Sequence, residues 1–217
     1  MRRNNLLYLM LFLLFISNIQ AQKFEFDLLT KYQSMMKNYI HESVIYSNSK
    51  NEKYFLYVDG NTESKNAILY DFANMISHNF KVKESKIQNE MFFEFEYLNS
   101  KNINLENKFG EFELEYKSIG NDSLKKEIKI DIYDKTKKLR ESYVLRVKKS
   151  KTNLFPLFRF SCLHPLEFNQ NINLPENIMV ENAIGTTLSG KTIEHKLLYN
   201  KELKFEIEIP KNTNPSY

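Results

Sequence analysis

The chain predicts a mainly β fold: a large antiparallel sheet of about ten strands, strongly curved or folded over, with one N-terminal α-helix. Three observations point there. Beyond Glu42 the apolar residues recur with period two in segment after segment, the spacing that puts alternate side chains on one face of a strand. Turn residues separate these segments at short intervals, which favours antiparallel neighbours over helical crossovers. The composition is poor for long helices, with four Ala against 25 Asn, while 17 Phe and 13 Tyr supply the bulk of a core.

The first element is the helix candidate. In DLLTKYQSMMKNYIH, Leu28, Leu29, Tyr32, Met35, Met36, Tyr39 and Ile40 recur at three- and four-residue intervals, and Asp27 can serve as N-cap. Such a stripe is expected to pack on the sheet. KYFLYVDGN then reads as a strand entering a turn at Asp59 and Gly60. NAILYDFANMISHNFKVKE is a hairpin turning at its D-F-A-N-M centre. EMFFEFEYL and EFELEYKSI are strands in which Glu alternates with aromatics or Leu.

A second hairpin, LKKEIKIDIYDKTKKLRESYVLRVKKSK, turns about YDKTKK. It resembles the first, with DIYD…LRVKKSK beside ILYD…FKVKESK. One pair of look-alikes is too little for a repeat architecture and points instead to shared turn chemistry in one meandering sheet. NLFPLFRFSCLHPLEF, broken by Pro156 and Pro165, fits neither period and reads as a short strand followed by a turn or short helix. NQNINLPEN is a polar loop. TIEHKLLYNKELKFEIEIPK reads as a closing hairpin turning near Asn200, with Pro210 ending its last strand. No interdomain linker is visible, so residues 22–217 are expected to form a single β-rich domain.

The N-terminus carries the layout of a secretory signal peptide. Arg2 and Arg3 give a positive start, Leu6 to Ile16 is an uncharged apolar run, and Ala21 offers the small residue at a cleavage site. The run is too short to span a bilayer, which takes about 20 apolar residues. Cleavage of residues 1–21 would leave Gln22 first, not a Cys for lipid attachment. An exported protein, periplasmic or extracellular, is expected, with no transmembrane segment in the mature chain. The formal net charge of +4 includes Arg2 and Arg3, so the mature chain is nearly neutral. It lacks the broad positive field of a nucleic-acid binder, and no nucleic-acid partner is expected. Cys162 is the single cysteine, so no internal disulfide can form.

GTTLSGKT, Gly185 to Thr192, matches the phosphate-binding pattern G-x-x-x-x-G-K-[ST], with Gly185, Gly190, Lys191 and Thr192 in the defining places. A P-loop needs a helix after it so that its N–H groups surround the phosphates. Here a strand-like alternation follows and only a short stretch of chain remains. The match is read as accidental: a loop joining two strands, with Gly185 and Gly190 in positive-φ turns. No cofactor is expected.

Cys162 and His164 are the only candidates for chemistry. Two residues apart, they would face the same side of a strand, and a thiol beside an imidazole is the minimum for a cysteine nucleophile. Their neighbours Phe158, Phe160, Leu163 and Leu166 suggest burial instead, so no catalytic residue is assigned. His41, His78 and His195 form no metal-binding spacing, and no metal site is assigned. The Glu alternations FEFEY, EFELEY and FEIEI read as the wet face of half-buried strands, opposed by Lys-rich neighbours such as LKKEIKI.

Two functions fit an exported β-rich chain without visible catalytic apparatus. The first is a non-catalytic module that binds another protein through an edge strand or aromatic patch. The alternative is a periplasmic carrier of a lipid or other hydrophobic ligand in a curved-sheet cavity. The sequence leans to the first. An enzyme would require a cleft exposing Cys162 or His164 beside a carboxylate.

Overall fold

The computed structural model describes residues 21–37, 39–59, 65–87, 90–103, 112–122, 125–166, 168, 172–187 and 189–210. Residues 1–20 of the expected signal peptide, Gly60 and the first three residues of the NQNINLPEN loop lie outside them. The strands are β1 (Gln22–Met36), β2 (Tyr39–Asn48), β3 (Asn51–Asp59), β4 (Asn66–Asp71), β5 (Ile76–Ile87) and β6 (Glu90–Asn102). After them come β7 (Glu113–Asp122), β8 (Lys125–Tyr133), β9 (Leu139–Lys149), β10 (Ile178–Thr187) and β11 (Thr192–Ile209). The helix α1 (Phe155–Cys162) and a 3-10 turn (His164–Leu166) lie between β9 and β10.

All eleven strands join one antiparallel sheet in the order β6-β5-β4-β3-β2-β1-β11-β10-β9-β8-β7. Two meanders therefore meet at a central β1–β11 pair, and consecutive strands β6 and β7 are the two outer edges. Laid flat, strands about 4.8 Å apart would separate those edges by about 48 Å. The chain from Asn102 to Glu113 reaches at most about 40 Å at full stretch. The sheet has to curve.

The expected helix over residues 27–41 is instead the second half of β1, a turn at Lys37 (φ 54°) and the start of β2. Its buried side continues a strand alternation that begins upstream: Phe24, Phe26, Leu28, Thr30 and Tyr32 all point inward. Asp27 does cap a turn, but the one between β2 and β3, where its carboxylate accepts from Ser49 N at 2.7 Å and Ser49 Oγ at 2.5 Å. The expected hairpin near Asn200 is also absent: β11 runs unbroken through it, and Asn200 pairs with Thr30. Two register shifts in the β1–β11 ladder interrupt the alternation there, and such irregularities mimic a turn in sequence.

The hairpins at YDFANM and YDKTKK form where expected and share their chemistry. Asp71 Oδ1 accepts from the backbone N–H of Ala73 and Asn74, and Asp134 Oδ1 from those of Thr136 and Lys138. Met75 and Lys137 supply the positive φ in each. The Glu alternations face outward, with cross-strand pairs such as Lys83–Glu96 at 2.8 Å. In β7, however, register sets Glu115 opposite Asp131 and Lys117 opposite Lys129, so at these two positions like charges face each other.

The core lies on both sides of the sheet. On one side, Phe24 and Phe26 of β1 with Ile207 and Ile209 of β11 cover Leu56, Leu69 and Phe80 of β3–β5, so the β1–β11 ribbon folds beneath its own sheet. On the other side sits α1: in place of the expected short strand followed by a turn or short helix, the segment is helix from Phe155, with no strand among its described residues. Seven of its eight residues are buried, which removes the polar stripe that marks a surface helix. Phe155 and Phe158 pack on Ile130, Leu145 and Val180, while Leu157 and Phe160 pack on Leu28, Ile45 and Phe55. One short helix thus spans both halves of the sheet. Among the described residues no helix is long and apolar enough to cross a membrane.

Candidate functional site

The helix α1 does not fill the curve of the sheet, and a recess opens on each side of it. The first, of about 370 Å³, lies between its N-terminal half and the β2–β3 turn. Phe55, Phe72, Leu154 and Leu157 form apolar walls, and Lys50, Glu52 and Lys53 stand at the turn. Arg159 lines the helix side. It is 5 % exposed, and its Nη1 donates to the Ile172 carbonyl. No ion pair reaches it among the described residues, and its Nε is buried without an acceptor. Desolvation lowers the guanidinium pKa to about 10, with Glu52 opposing that shift, so Arg159 is charged at neutral pH.

The second recess, of about 340 Å³, lies at the C-terminal end of α1. It collects Cys162 and His164, and adds Ser34, Tyr143 and His195, which sequence spacing does not connect. Ser34 Oγ is 2.7 Å from His195 Nδ1. The imidazole sits edge-on to Phe158 and tilted against Tyr143, and its Nε2 is buried without a partner. Burial lowers the His195 pKa to about 4, assisted by His164, so it is neutral at physiological pH. The Tyr143 hydroxyl donates to Glu141 at 2.8 Å, and burial raises its pKa.

Cys162 and His164 do not share a strand face. Cys162 ends α1 and is 2 % exposed, whereas His164 opens the 3-10 turn and is exposed. Burial pushes the Cys162 thiol up, so it stays protonated, and its neighbour is the Ser34 hydroxyl. The hydrogen-bond partner of His195 is Ser34, and no carboxylate orients the imidazole among the described residues. A base held neutral to about pH 4, with no orienting acid, is poorly suited to activate a nucleophile. Nor do three or more His, Cys, Asp or Glu gather to hold a metal among the described residues.

GTTLSGKT is the connection between β10 and β11. Gly185 lies within β10, Thr192 opens β11, and Gly190 N donates to the Thr187 carbonyl at 2.9 Å. A strand follows the glycines where a P-loop has its helix. Gly190 has φ 72°, as a turn requires. Gly185 does not: it pairs with Tyr143, and any Cβ there would overlap the tyrosine ring. Its role is close approach, not a turn.

No family model and no curated protein matches the chain. Among solved structures it is similar to a DUF1329 family protein from Desulfovibrio piger ATCC 29098, at 8 % identity and a TM-score of 0.31, covering 88 % of this chain and 89 % of that one. A likeness that distant transfers neither a site nor an activity.

Proposed function

We propose that the protein is an exported, non-catalytic carrier of a small molecule with a hydrophobic body, which docks in the first recess beside α1. The observation that carries this reading is the recess itself. Its volume of about 370 Å³ falls in the range of small-molecule sites, and the apolar walls of Phe55, Phe72, Leu154 and Leu157 stand beside polar and charged lining residues that include the buried Arg159. Export is supported by the charged, apolar and small-residue segments that end at Ala21. Because β1 begins at Gln22, cleavage there removes no described strand.

The reading to which the sequence leans, a protein-interaction module, is favoured by Val144 and Ile184. They pair across β9 and β10 and are exposed by 38 % and 52 %. Two side chains are a small patch, and scattered exposed apolar residues are ordinary on protein surfaces. Native mass spectrometry of the protein, purified without detergent from cells that make it, separates the readings. A releasable small-molecule mass supports the carrier. A bare chain mass, or one seen only with a second protein, overturns it.

A further inference from the structure

Arg159 stands out within the first recess because no ion pair reaches its guanidinium among the described residues. A guanidinium so deeply buried ordinarily faces a carboxylate, since desolvating an unpaired charge is costly. Its single described hydrogen bond uses Nη1, towards Ile172. Among the described residues Nε finds no acceptor, so the guanidinium keeps N–H groups able to bind an oxyanion through charge-assisted hydrogen bonds. The nearest described acid, Glu52, is exposed and belongs to the rim, where Lys50 and Lys53 flank it. Around this recess three cations stand against one carboxylate. Phe55, Phe72, Leu154 and Leu157 line the same recess as Arg159.

We propose that the ligand is an anionic amphiphile, with a carboxylate or phosphate head on the Arg159 guanidinium and an apolar tail along the recess wall. This rests on the carrier reading and adds the head group to it. Both heads offer two oxygens to a guanidinium edge, and the second charge of a phosphate would draw further on Lys50 and Lys53.

The test is calorimetric titration of the full chain with decanoate, decyl phosphate and decanol, which share one tail. At least one anion binds about tenfold or more tighter than decanol, and the tighter anion identifies the head. In Arg159→Gln that preference falls to within about twofold while decanol affinity is kept. If decanol binds as tightly as both anions, or if Arg159→Gln leaves the preference intact, the anionic head is wrong and the carrier reading stands. If none of the three binds, the carrier reading fails with it. Should Arg159→Gln not fold, the wild-type ratio of anion to decanol decides alone.

Discussion

The two recesses flank the same helix and are nearly equal in size, about 370 and 340 Å³, yet burial has been resolved in opposite ways. In the second, every ionisable group that burial reaches is driven to its neutral form: His195 deprotonated, Cys162 and Tyr143 protonated. In the first, Arg159 keeps its charge, because a guanidinium cannot shed its proton near neutral pH. The lesson is that a perturbed pKa does not itself mark a site. The second recess has the larger perturbations and no unmet charge. The first has a smaller perturbation and a charge that calls for a partner.

The comparison can be broken most severely at Gly185. Gly185→Ala drives a methyl group into the buried Tyr143 ring, which itself packs against His195. A loss of about 3 kcal/mol is expected in urea unfolding, and the second recess is deformed while the first is spared. Next is pH. Above about 6.5 both folded and unfolded chains hold His195 neutral. Below it the unfolded chain takes up a proton that the folded protein refuses until about pH 4. Stability therefore falls as pH drops from 6.5 to 4, by about 2–3 kcal/mol from His195. His78, whose pKa burial also lowers, acts in the same direction. His195→Gln should flatten that part of the profile.

Ser34→Ala is a smaller change. It removes the hydroxyl 2.7 Å from His195 Nδ1 and leaves a second unpartnered nitrogen, for a loss of about 1–2 kcal/mol in thermal or urea unfolding. The smallest effect on stability sharpens the contrast most. Arg159→Met trades a buried charge with no ion pair among the described residues for an apolar side chain of similar length. Stability should be unchanged or raised by about 1 kcal/mol, the opposite sign to the second-recess variants. A residue the fold does not need, kept where it is costly, is the signature expected of a binding group.

Much of the sheet was legible in the sequence because period two survives wherever one strand face is wet. The two YD hairpins and the Glu alternations follow from that pattern. The first strand was not, because Leu29, Met35 and Ile40 add apolar residues off the buried face and complete a helical stripe. The signal that could have corrected it lies just upstream, where Phe24 and Phe26 continue the alternation of Leu28 and Tyr32. Helix α1 was hidden for the opposite reason: buried almost all round, it has no polar face to set a period. The sites were less legible still. Cys162 and His164 were visible as a pair, but Ser34 and His195 meet only through the β1–β11 register, 161 residues apart in the chain. Arg159 reads as one charge in an apolar run. Its burial is a property of the fold.

The most direct test is where a ligand sits. A crystal grown with saturating decanoate is predicted to show the carboxylate on the Arg159 guanidinium and the tail against Phe55 and Leu157, with the second recess free of it. Decanoate bound beside Ser34 and His195 instead, or an empty first recess at saturation, would contradict the account.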